Sequence, residues 1–114
     1  GADSIDGGLG SDSIVAGAGA DTILGGAGAD TIVAGNGDDV VVGGLGADSL
    51  VGGSGTDTLD YSANTAGQNV VVRMHVGNVD DGLGNTDTIA GFEYVITGAG
   101  NDDITGSDES NRIE

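Results

Sequence analysis

GGLGSDSIV (residues 7–15), AGAGADTIL (16–24), GGAGADTIV (25–33), AGNGDDVVV (34–42), GGLGADSLV (43–51) and GGSGTDTLD (52–60) follow one another without a gap. In this register aspartate falls at Asp12, Asp21, Asp30, Asp39, Asp48 and Asp57, and the first six residues, read as the tail of an earlier copy, add Asp3. Two residues after each aspartate stands an aliphatic side chain: Ile5, Ile14, Ile23, Ile32, Val41, Leu50 and Leu59. Two residues before it stands glycine. A fixed period with three locked positions is the mark of a stacked repeat. Because the chain starts and stops inside repeat-like sequence, it reads as a piece of something longer.

Each unit divides into two parts. The first six residues are glycine-rich, with glycine at the second and fourth places of every copy, as suits a backbone at φ > 0 or in close approach to a ligand. The last three, Ser or Thr, an aliphatic and then often Val or Leu, suit a three-residue strand. A turn followed by a short strand reverses direction, so two units complete a coil of about 18 residues and strands stack in parallel at roughly 4.8 Å. Alternate turns then lie on opposite edges: Asp12, Asp30 and Asp48 on one, Asp3, Asp21, Asp39 and Asp57 on the other. Period-2 alternation sends the aliphatics inward, where two thin sheets share one layer of Ile, Val and Leu.

Composition says what such a coil lacks. Of 114 residues only 37% are apolar and 3% aromatic, 25 are glycine, and proline and cysteine are absent. The core is undersupplied and no disulfide can replace it. Nineteen acidic residues against Arg73 and Arg112 leave a net charge of −17, which excludes nucleic acid and anionic lipid as partners and favours cations. Stacked carboxylates about 4.8 Å apart repel by roughly 3–4 kcal/mol at an effective dielectric of 20. A hard divalent cation between successive turns reverses the sign of that interaction, and carboxylates with loop carbonyls form the oxygen-only ligand set that suits calcium. The sequence has no apolar run long enough to insert in a membrane and no charged-then-apolar leader. It also lacks a Ser-His-Asp or Cys-His set, an HExxH and paired catalytic glutamates, so catalysis is not expected of this chain, although a catalytic domain attached elsewhere is compatible with it.

The pattern GGxGxDxUx, with U a large aliphatic, resembles the RTX or hemolysin-type calcium-binding repeat. The resemblance implies an all-β fold, a right-handed parallel β-roll (β-solenoid) with two thin parallel sheets and calcium-binding turns. It also implies a ligand scheme: carbonyls of the second and fourth positions plus Asp from one turn, and carbonyls of the first and third plus Asp from the turn 18 residues on. Carried over, Gly8, Gly10 and Asp12 meet Gly25, Ala27 and Asp30, and Gly26, Gly28 and Asp30 meet Gly43, Leu45 and Asp48. On the other edge Gly17, Gly19 and Asp21 meet Ala34, Asn36 and Asp39, and Gly35, Gly37 and Asp39 meet Gly52, Ser54 and Asp57. Gly1 and Asp3 share a truncated site with Ala16, Ala18 and Asp21. About five stacked calcium ions result, bringing the charge of −17 to about −7.

Three segments are expected: a repeat block over 1–60, an interruption over 61–81 and a second, degenerate block over 82–114 that continues the roll. Asp57 to Ser62 (DTLDYS) resembles the family's exit from a block, and Asp87 to Ile96 (DTIAGFEYVI) its re-entry, with Tyr94 where Asn is more usual. Val70 to Val76 (VVVRMHV) reads as one strand capping or flanking the roll, with Gly77 and Asn78 as turn formers. Repeat character returns at 97–105, with Asp102 as metal-ligand candidate. It then fades over 106–114, where Asn111 takes the Asp place and Ile113 the aliphatic place, so weaker metal binding is expected there.

Outside the ladder, Asp6, Asp38, Asp80, Asp81, Asp103 and Asp108 read as solvated charges, His75 as an ordinary strand or surface residue, and Arg73 as the partner of a nearby carboxylate. Val15, Val33 and Val51 line one sheet exterior and Leu24 and Val42 the other. Strand propensity accounts for them, and the sharper alternative is that 70–76 or a neighbouring domain covers one stripe.

The family implies a module that folds on binding calcium outside the cell, part of a larger secreted bacterial toxin, protease, lipase or similar protein exported by a type I system. Its partners are calcium ions and neighbouring domains of the parent chain. The alternative is a calcium-dependent spacer or assembly module of a surface-layer protein or adhesin. Ice binding is disfavoured because Ser13, Thr22, Thr31, Val40 and Ser49 do not form one uniform rank, and polysaccharide binding because a basic groove is absent.

Overall fold

The computed structural model describes residues 1–63, 68–74, 76–106 and 112–113, the last pair by backbone alone. His75, Asp108 and Asn111 lie outside the described residues. Those residues form strands and turns with no helix, in a body of 36 × 33 × 21 Å.

Seven strands come from the repeats: β1 (Ser4–Leu9), β2 (Ser13–Ala18), β3 (Thr22–Ala27), β4 (Thr31–Asn36), β5 (Val40–Leu45), β6 (Ser49–Ser54) and β7 (Thr58–Asp60). Six follow: β8 (Val71–Arg73), β9 (Asn78–Asp80), β10 (Thr86–Ala90), β11 (Tyr94–Ile96), β12 (Asp103–Thr105) and β13 (Arg112–Ile113). Odd and even repeats part into two sheets, ordered β1-β3-β5-β7-β11-β13 and β12-β8-β9-β10-β6-β4-β2. The repeat strands pair in parallel 18 residues apart, Ile5 on Ile23 on Val41 on Leu59 and Ile14 on Ile32 on Leu50. This is the parallel β-roll the spacing predicts.

The strands of the first six repeats are six residues long, not three. Each continues past the aliphatic into the first three glycine-rich places of the next unit, because those residues also pair with their counterparts one coil away, as in Gly8 with Gly26 and Leu9 with Ala27. The turn shrinks to the few residues around each Gly-x-Asp. Tight stacking is what glycine permits there: Gly26 (φ 108°) and Gly28 (φ 134°) lie where a Cβ would stand 2.1 Å from the Gly8 and Gly10 carbonyl oxygens. A side chain at either position would force the coils apart.

Between the sheets Ile23, Ile32, Val41, Leu50 and Leu59 are fully buried, with Ala34 beside them. The layer extends through Val70, Val72, Val79, Ile89, Phe92 and Val95. Of the outward places, Val15 is 71% and Leu24 40% exposed, whereas Val33, Val42 and Val51 are half-buried.

Residues 61–81 depart from the expected flanking strand. Val70 to Val76 does not run on as one strand: β8 stops at Arg73, whose carbonyl accepts from Val76 and Gly77 N–H across a turn. The chain returns as β9, which begins at Asn78 rather than using it as a turn residue. This antiparallel hairpin enters the sheet itself, β9 on β10 and β8 on β12. It therefore lies edge to edge with the roll as part of the sheet, and Val15 on the far strand β2 stays exposed. Arg73 faces Asn78 across the hairpin and its guanidinium donates to the Asn78 amide oxygen at 3.3 Å, so among the described residues its partner is an amide rather than the expected carboxylate.

Candidate metal ladder

Each ladder aspartate sits immediately before its strand, at the end of a glycine turn that brings the next coil into register. Its carboxylate reaches back one coil: Asp21, Asp39 and Asp57 Oδ1 accept from the backbone N–H of Asp3, Asp21 and Asp39 at 2.7–3.0 Å. On the other edge Asp30 and Asp48 Oδ1 accept from Asp12 and Asp30 N–H at 2.8 and 2.9 Å. The two ranks are those read from the spacing.

The second oxygen of each carboxylate has no such partner. Oδ2 of Asp12, Asp21, Asp30, Asp39, Asp48 and Asp57 is buried without a hydrogen bond, and of these residues Asp21, Asp30, Asp39 and Asp57 are at most 1% exposed. Buried polar atoms are almost always satisfied, and an unpaired carboxylate oxygen is costly, so six in register require a common explanation.

Carbonyls converge on the same places. Beside the α-carbon of Gly25, Asp30 Oδ2 and the Gly43 carbonyl oxygen of the next coil lie 2.6 and 2.5 Å from where a Cβ would stand; beside Gly7 the equivalent atoms are Asp12 Oδ2 and Gly25 O at 2.9 and 2.5 Å. Asp12 and Asp30 Oδ2 thus face the gap to the following coil, together with a first-position carbonyl. Second- and fourth-position carbonyls point into the same direction of stacking, Gly8 and Gly10 toward Gly26 and Gly28, Gly17 and Gly19 toward Gly35 and Gly37. The third-position carbonyls of Ala27, Asn36, Leu45 and Ser54 each accept an N–H from the fourth-position glycine of the preceding coil at 2.8 Å and retain a second lone pair. First-position Ala16 and Ala34 carry a methyl where Gly7, Gly25 and Gly43 have none, so the two edges are not identical.

Two carboxylates absent from the sequence-based ladder extend it. Asp48 N–H donates to Asp87 Oδ1 and Asp57 N–H to Glu93 Oε2, both at 2.9 Å. The signal for both was present in the sequence: Asp87-Thr88-Ile89 and Glu93-Tyr94-Val95 keep a carboxylate two residues before an aliphatic, and Glu93 keeps a glycine, Gly91, two residues before it, although the full glycine turn in front has gone. Asp87 differs from the rest in that its Oδ2 accepts from the buried Tyr61 hydroxyl. Asp102 also holds a ladder-like place, its Oδ1 accepting from Val70 N–H at 2.8 Å, but the residue across that rung is Val70 and supplies no carboxylate.

The other acidic residues divide. Asp6, Asp80 and Asp103 are exposed, and Asp38 is exposed while accepting from Thr56 N–H at 2.8 Å. Asp81 is not a solvated charge: it is fully buried, and its Oδ1 accepts from Leu83 and Asn85 N–H, closing the loop before β10. A hairpin turn that needs its own acceptor outweighs the hydration of the carboxylate.

Burial pushes Asp48 and Asp57 above the ordinary carboxylate range, and pushes Asp87 up to about 6 against the opposing pull of the Tyr61 hydroxyl. Burial, then the Asp87 charge, drives the Tyr61 phenol strongly upward, so it stays a donor. A carboxyl whose folded pKa is raised binds its proton more tightly when folded, so its contribution favours the metal-free fold below the unfolded value and is lost as pH rises through about 6. In excess chelator, strand content by circular dichroism is therefore expected to be higher at pH 5 than at pH 7.5, with a smaller difference in Asp87→Asn. An equal or reversed difference in the parent chain would contradict the assignment.

A parallel roll whose turns gather buried carboxylate oxygens and loop carbonyls between coils is a repeat protein built around hard cations. The chain belongs to the RTX calcium-binding nonapeptide repeat family, whose model matches residues 1–32, 24–59 and 87–114. No curated protein and no solved structure matches it. The donor set fits calcium: oxygen only, two carboxylates per gap, with carbonyls to raise the count toward six or more.

Proposed function

We propose that this chain is the calcium-dependent folding module of a larger secreted bacterial protein of the toxin, protease or lipase kind, exported by a type I system. The single observation that carries the calcium-dependent folding is the row of six buried Oδ2 atoms without partners, which bound calcium would satisfy, and secretion and export rest on the family alone. The proposed ligands are the two aspartates of each rung, 3/21, 12/30, 21/39, 30/48 and 39/57, with the loop carbonyls between them. The calcium ion supplies charge neutralisation and cross-linking of coils. The chain's own residues supply the acceptor register through Oδ1 and the close approach through glycine. We assign no catalytic step to it.

A module that remains unfolded during export and orders outside must fold at extracellular calcium, in the range of about 0.1–1 mM. Calcium titration followed by circular dichroism is expected to show one cooperative gain of strand with its midpoint in that range. A midpoint at micromolar calcium or below would place folding inside the cell and overturn the export reading.

A further inference from the structure

On the Asp57 edge the nonapeptide turns stop, but the pattern of convergent oxygens does not. Asp57 is fully buried and its Oδ2 has no partner. That oxygen and the Gly91 carbonyl oxygen approach the same point beside the Gly52 α-carbon, 2.6 and 2.2 Å from where a Cβ would stand. The arrangement repeats Asp30 Oδ2 with Gly43 O at Gly25, and Asp12 Oδ2 with Gly25 O at Gly7. Glu93 then takes the place of the next ladder aspartate, one oxygen accepting from Asp57 N–H at 2.9 Å. The turn in front of it, Gly91-Phe92-Glu93, is shorter than a repeat turn, and Glu93 carries one methylene more than the ladder aspartates.

The opposite edge ends differently. There Asp87 faces Asp48, but the three atoms nearest a Cβ at Gly43 belong to Asp48 and Leu50 and include no carbonyl oxygen, and Asp87 Oδ2 is already occupied by the Tyr61 hydroxyl. A neutral donor closes that edge, whereas among the described residues no donor reaches Asp57 Oδ2.

We infer that Asp57, Glu93 and the Gly91 carbonyl form a further calcium site, outside the nonapeptide pattern, that joins the repeat block to the strands after the interruption. The inference rests on the calcium-binding reading above. The site would bridge β7 to β11, whose strands pair through Leu59 and Val95, and so tie the fold of the second half to calcium bound at the end of the first.

Crystals of the whole chain soaked in terbium, located by anomalous scattering, test this directly. The expected result is a peak bounded by Asp57, Gly91 and Glu93 in addition to those on the regular rungs. Regular rungs filled with that gap empty would overturn this inference alone, and no peak on any rung would overturn the calcium reading itself. Glu93→Gln provides a solution test, because the amide oxygen can still accept from Asp57 N–H while the charge is lost. It is expected to bind one calcium fewer per chain by native mass spectrometry, and unchanged stoichiometry would overturn the site.

Discussion

In excess EGTA at neutral pH the strand signal of this chain is expected to collapse to that of an unfolded polypeptide, and to return when calcium is restored. The expectation follows from the ladder's electrostatics. Consecutive aspartates are held in register by Oδ1 hydrogen bonds of 2.7–3.0 Å, which fix the carboxylates of adjacent coils beside one another. Without a cation each adjacent pair repels by roughly 3–4 kcal/mol at an effective dielectric of 20, and a buried oxygen on each is unsatisfied. One layer of Ile, Val and Leu does not offset several such pairs in a chain with 25 glycines to order. Calcium at a hundredfold excess over Kd adds about 2.7 kcal/mol per site in favour of the fold, so five sites move the equilibrium by many orders of magnitude. Strand content that survives the chelator unchanged would show that the apolar layer suffices.

The second large effect separates shared from terminal ligands. Asp30 takes part in two gaps: its Oδ1 serves the one behind, at Asp12, and its Oδ2 faces the one ahead, with Gly43 O. Asp12 takes part in one, through an Oδ2 that faces Gly25 O. Asp30→Ala is therefore expected to lose two calcium ions per chain and Asp12→Ala one, measured by titration calorimetry or native mass spectrometry. The calcium midpoint should rise more for Asp30→Ala, since two linked sites are lost from the middle of the stack. Equal stoichiometry in the two variants would contradict the stacking scheme.

Most of the architecture was legible because the nonapeptide carries three signals in one phase. Asp-x-aliphatic sets the inward face, glycine at second and fourth positions sets the turn, and a period of nine sets which turns share an edge. Where only one signal survived, reading was partial. Asp87-Thr88-Ile89 and Glu93-Tyr94-Val95 retain the carboxylate and the aliphatic without the full six-residue glycine turn, so spacing alone does not place them on the ladder. At Val70 to Val76 no periodic signal remained. A run of β-branched residues reads as one strand, yet the turn after Arg73 and the return at Asn78 divide it into a hairpin.

From residues 1–60 by themselves came the coil, the two edges and the identity of the carboxylates, since local spacing alone dictates them once neighbouring units stack. The tertiary structure decided how the ladder ends: Tyr61 reaches Asp87 across 26 positions and Glu93 reaches Asp57 across 36. It also decided that β8 and β9 enter a sheet as a hairpin. Those outcomes depend on which backbone edges remain unpaired when the repeats stop, and an unpaired edge is a property of the assembled sheet, absent from any single stretch of sequence.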